Sequence, residues 1–146
     1  MLVEMMKYTQ WADAQIIEVF QRNSPIPAKA HSLFNHVLNA QHIWASRILD
    51  RASLYAVWEE HSSEALSSVS TGNFELFQYI MEYIALTNEI TYTNSNGERY
   101  TNTVMDILIH VFNHSTYHRG QIASMLKVNE IQPPTTDYIQ LKREIQ

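Results

Sequence analysis

Apolar residues recur every three to four positions along most of the chain, and the interruptions fall at Pro, Gly and Ser clusters, which predicts a helical protein. The first periodic segment runs from about Val3 to Arg22 and is closed by Asn23-Ser24-Pro25-Ile26-Pro27. A second extends from about Lys29 to Arg51. Residues 52–72 are rich in Ser and form the least regular connection, with one turn around Tyr55 to Glu60, and fit either a lid or a packed loop. A third helix is expected from about Asn73 to Tyr92, followed by a turn at Asn94–Glu98 with strand-favouring Thr and Tyr on both sides. The fourth covers about Thr103 to Val128. After it, Pro133-Pro134-Thr135-Thr136-Asp137 starts a short last helix that ends near Glu144. With no internal repeat, the pattern predicts an all-α four-helix bundle with a short extra C-terminal helix, in one domain spanning residues 1–146.

On a wheel of the fourth segment, Val104, Ile107, Leu108, Val111, Ile122, Met125 and Leu126 form one broad apolar arc. His114 and His118 fall inside it, and His110 sits at its margin beside Tyr117 and Gln121. Imidazoles four residues apart lie one above the other and can face a common ion. His110 and His118 are about 12 Å apart along the axis, too far for all three to share an ion, so His114 and His118 are the candidate pair. His110 is expected to border a pocket, to orient a ligand, or to be solvated.

A catalytic ion needs a further ligand, and the second helix offers His36 and His42, on opposite edges of a stripe made by Leu33, Val37, Trp44 and Ile48. Periodicity does not choose between them, although Ala40, one turn beyond His36, leaves room beside that imidazole. His31 and His61 are expected at the surface, and Trp11 and Trp44 in the core. Arg119 turns toward the apolar side of its helix, where an unpaired guanidinium is costly, and Asp13 is its candidate partner.

Composition narrows the chemistry. There are no cysteines, which excludes disulfides, thiolate metal sites and Cys nucleophiles, so any metal must use nitrogen or oxygen. A formal charge of −5 with only 10 Lys plus Arg argues against a duplex-DNA partner. The first residues lack a cationic segment followed by a long apolar run, and no stretch reads as a membrane span, so a soluble, cytoplasmic protein is expected. Ser115 rather than Glu follows His114, which removes the zincin pattern, and no Glu-x-x-His occurs to build a carboxylate di-iron site. A glycine-rich phosphate loop is also absent.

Four stretches carry a resemblance. They are Tyr8-Thr9-Gln10-Trp11-Ala12-Asp13, the run His36-Val37-Leu38-Asn39-Ala40-Gln41-His42-Ile43-Trp44, the sharper Asn113-His114-Ser115-Thr116-Tyr117-His118-Arg119-Gly120-Gln121, and the ending Pro133-Pro134 with Asp137-Tyr138. Together they resemble the DinB/YfiT-like superfamily nearly end to end, and Gly97 fits the turn before its fourth helix. Two departures stand out: Gln41 where many relatives have a carboxylate, and Tyr117 where they have His.

The resemblance implies that His36, His114 and His118 are the metal ligands of a divalent ion, zinc or nickel foremost, with iron also suited. Some relatives are thiol-dependent transferases or isomerases using bacillithiol, mycothiol or glutathione, and others are described as metal-dependent hydrolases. It therefore implies a metal-dependent thiol S-transferase or hydrolase acting on a small molecule; the alternative is a non-catalytic, metal-stabilised stress or binding protein. A third reading is a helical dimer whose histidines bind nothing. Relatives often dimerise through helix faces, so a homodimer is expected. No residue is marked as catalytic, and Tyr117, His110 and Gln121 are candidates for substrate contacts.

Overall fold

Each long helix buries the stripe that its sequence pattern marks, and the buried stripes meet in two apolar clusters separated by a polar layer. The structure, a computed structural model, describes residues 1–145. Its elements are α1 (Leu2–Arg22), α2 (Ala28–Ile48), α3 (Leu66–Tyr83), β1 (Glu89–Thr93), β2 (Arg99–Thr103), α4 (Val104–Val128) and α5 (Tyr138–Glu144). α2 packs against α3 and α4, and α1 packs against the same two. One cluster joins Met6, Ala45, Phe74, Phe77, Ile107, Leu108 and Phe112. The other joins Ile16, Phe20, Phe34, Leu38, Leu66, Ile122 and Leu126. From the order of these residues, α1 and α4 run from the first cluster to the second, and α2 and α3 run the opposite way.

Between the clusters every long helix contributes a buried polar residue: Asp13, Gln41, Asn73, Ser115 and Arg119. Arg119 Nη1 donates to Asp13 Oδ1 at 2.7 Å, confirming the expected partner. Gln41 Nε2 donates to Asp13 Oδ2 at 2.7 Å and to Ser115 Oγ at 3.1 Å, while Asn73 Nδ2 donates to Gln41 Oε1 at 3.2 Å. Burial raises the Asp13 pKa, and the Arg119 charge and the Gln41 hydrogen bond pull it back. The layer thus fixes how four helices register against one another with one balanced charge pair.

Several expectations need correction. α2 ends at Ile48, short of Arg51, because Asp50 adopts φ 51° and closes the helix in the left-handed region, with Arg51 N donating to Ser46 O. The third helix begins at Leu66 and ends at Tyr83, not Asn73 to Tyr92. Its first turns are Ser-rich, yet Leu66, Val69, Ser70 and Asn73 continue the buried stripe, and the Ser68 and Thr71 hydroxyls return to the carbonyls of Ala65 and Ser67. The molecule is therefore mostly helical with a small two-stranded sheet, in which β1 pairs antiparallel with β2 and Tyr92 faces Tyr100. Gly97, at φ 81°, takes the left-handed position of the connecting turn.

α4 starts with a capping box: Thr103 Oγ1 accepts from Asp106 N at 3.1 Å, and Asp106 reaches back to Thr103 N. The C-terminal segment returns to α1, where Tyr8 Oη donates to Thr136 O at 2.6 Å and Trp11 Nε1 donates to Glu144 Oε2 at 2.9 Å. Trp11 is partly exposed and outside both clusters, whereas Trp44, also partly exposed, packs against the first cluster. Among the described residues no helix is long and apolar enough to cross a membrane.

Candidate metal centre

The antiparallel course of α2 and α4 brings His36 level with His114 and His118, beside the polar layer. His114 Nε2 lies 3.2 Å from His36 Nε2 and 3.1 Å from His118 Nε2. An imidazole nitrogen carries either one hydrogen or one in-plane lone pair, so His114 Nε2 cannot make two good hydrogen bonds at once. A cation between the rings removes that conflict. Nitrogen ligands about 2.0–2.1 Å from a tetrahedral zinc lie about 3.3 Å from one another, close to both measured separations. The three side chains form the one group among the described residues able to hold a metal ion, and all are half-buried.

Hydrogen bonds on the far side of two rings favour this use of the near side. Gln121 Oε1 accepts from His118 Nδ1 at 2.6 Å, and Val57 O accepts from His36 Nδ1 at 3.4 Å. A carbonyl acceptor fixes the hydrogen on Nδ1 and leaves the lone pair on Nε2, the arrangement that ligating histidines need. Burial, with His118, His36 and His110 nearby, lowers the His114 pKa from 6.5 to about 4. Burial also lowers the His36 pKa, with His118 adding to the effect and the Val57 carbonyl opposing it. Both rings are thereby kept neutral, as a metal ligand must be.

The other histidines have separate partners. His42, the rival of His36, is buried, and its Nε2 accepts from Leu54 N at 3.1 Å. His31 and His61 were expected at the surface but are partly buried: His31 stacks on Phe20, and His61 Nε2 contacts Asn39 Oδ1 at 2.7 Å. His110 is exposed and packs edge-on against Trp44, with ring centroids 5.3 Å apart. It is outside the cluster, as its axial offset required. Tyr117 is 65% exposed and touches the His118 ring edge, so of the three expected substrate contacts Gln121 alone hydrogen-bonds a histidine of the cluster. Gln41 points to Asp13 and Ser115, and its departure from the family pattern alters the polar layer rather than the histidines.

The connection after α2 supplies what periodicity missed. Asn39 Nδ2 donates to Glu59 O at 2.8 Å, and Asn35 Oδ1 accepts from His61 N at 2.9 Å. These bonds clamp residues 57–61 onto α2. Trp58 consequently lies flat on His36, with centroids 4.2 Å apart and planes 17° apart. A sequence signal existed, since Asn35 and Asn39 share a face with His36, but nothing in it named the partner. An open cleft of about 450 Å³ adjoins His36 and His114 and is lined on its other side by Trp44, Arg47, Tyr92 and Tyr100.

The DinB family model matches residues 1–145. No curated protein sequence gives a significant match.

Proposed function

The chain belongs to the DinB family, and from that premise we propose that it is a metal-dependent enzyme of the thiol S-transferase or hydrolase type, with His36, His114 and His118 as ligands. The observation that carries the reading is the convergence of three Nε2 atoms beside an open cleft. Zinc or nickel suits three neutral imidazoles best, and iron is also compatible. When bound, such an ion lowers the pKa of a water or substrate thiol that joins it. The protein's own residues do the rest. Gln121 and Val57 orient two ligand rings, Trp58 covers one of them, and the cleft admits a small molecule, with a low-molecular-weight thiol the favoured partner. The family reading extends to a four-helix-bundle arrangement in a single domain, a homodimer and a cytoplasmic location.

The experiment is a turnover screen of zinc-, nickel- and iron-loaded protein against thiols paired with electrophiles, and against ester and amide substrates. Metal-dependent turnover that disappears in His114→Ala supports the enzyme. A second reading, a metal-stabilised stress or binding protein, has its own support in the ligands' distribution, because an ion would tie α2 to α4. In that case removing the ion lowers stability and no substrate is turned over.

A further inference from the structure

Arg47 lies three turns beyond His36 on α2 and lines the same cleft. Its guanidinium carbon stands 4.4 Å from the Trp44 ring centroid and 4.9 Å from that of Tyr92. Among the described residues it makes no ion pair. Glu98 in the hairpin turn is engaged within the hairpin: its Oε2 accepts from Asn94 Nδ2 at 2.9 Å and from Tyr100 Oη at 3.1 Å. Among the described residues the one side-chain hydrogen bond of Arg47 goes from Nη2 to Thr93 O at a long 3.4 Å. A half-buried guanidinium held against two rings, with most of its five N–H donors uncommitted, is preorganised for a planar anion.

We propose that the cleft binds an elongated small molecule carrying a carboxylate, with Arg47 as the anion anchor at one end and the histidine cluster, reached through His36 and His114, at the other. This deepens the metal-site reading and rests on it for the identity of the histidine end. Three helical turns are about 16 Å of axis, and the long Arg side chain leans back toward the helix N-terminus. The molecule must therefore span on the order of 10 Å between its carboxylate and the group presented to the histidines. Ile43, Val57 and Trp44 supply an apolar wall between the ends, which suits a methylene or similarly apolar spacer. Arg47 acts in binding, and no proton transfer is assigned to it.

The test compares matched ligands that differ only in charge, read from the Trp44 indole N–H resonance. Zinc-loaded protein is titrated with 6-mercaptohexanoate and 6-mercapto-1-hexanol, and zinc-free protein with hexanoate and 1-hexanol. Wild type should favour each carboxylate on the order of tenfold, the preference should vanish in Arg47→Gln, and Arg47→Lys should keep part of it. The ratio of affinities is the readout, because a purely structural Arg47 that fastened the hairpin would weaken both ligands alike. Equal binding of acid and alcohol by wild type, or an undiminished preference in Arg47→Gln, overturns the proposal. Should the two thiols bind no tighter than their thiol-free counterparts while hexanoate keeps an Arg47-dependent preference, the metal reading fails and the anion anchor stands.

Discussion

His114 is the residue on which the site's electrostatics turn. In the folded chain it stays neutral down to about pH 4, whereas its ordinary value is 6.5. Between those values the unfolded state binds more protons than the folded one, so stability falls as pH falls through that window. Thermal melts of metal-free protein should therefore show a declining midpoint from pH 6.5 toward pH 4. The decline should be shallower in His114→Asn, and an equal slope in the two proteins would show that the ring is not held neutral. Gln121 acts one step out, through His118 Nδ1. Gln121→Ala should weaken metal affinity by roughly 10- to 100-fold, measured by competition with a chelator, and leave the fold intact. The pair His114 and His118 was legible from spacing alone. The choice of His36 over His42 was not, because both edge the same stripe; the family resemblance favoured His36, and the folded chain adds that His42 Nε2 accepts from Leu54 N.

Among the elements, α1, α4 and α5 were readable because their stripes end at clear caps or at prolines. The displacement of α3 has a specific cause: Ser-rich composition suggested a loop, while tertiary burial of Leu66 and Val69 made it helix. The hairpin residues Ile90, Thr91 and Tyr92 have strand propensity that pairing with residues 100–102 realises. The connection between α2 and α3 is held by side chains from α2 rather than by a pattern of its own, which is why the sequence left it open between a lid and a packed loop. Asn39 is fully buried and spends its amide on that connection. Asn39→Ala should cost about 1–3 kcal/mol by leaving buried polar groups without partners. Limited proteolysis should then cut within residues 57–61 faster than in wild type. Unchanged cleavage would mean that the connection holds without the clamp.

For the whole molecule, the polar layer and the histidine cluster are adjacent but separable. Asp13 and Arg119 are 0% and 3% exposed, so removing the carboxylate strands a buried guanidinium. Asp13→Ala should lose about 3–5 kcal/mol in denaturant unfolding while keeping its metal content, since the Asp13 and Arg119 side chains bond to each other, Gln41 and Thr116 and not to His36, His114 or His118. Loss of metal at temperatures where the variant is still folded would instead place the pair in the site. The Asp13 and Arg119 pairing could be anticipated from the cost of burying a charge. The bridging of that pair through Gln41 to Asn73 and Ser115 could not, because it depends on where four helices meet.

The central claim is that the three convergent imidazoles hold a metal ion, and metal content per chain tests it most directly. Plasma emission on protein purified without an affinity tag, for wild type, His36→Ala and His118→Ala, should give about one zinc, nickel or iron per wild-type chain and almost none in either variant. A metal-free wild type that also fails to take up these ions on incubation would contradict the claim, as would variants that retain the full amount.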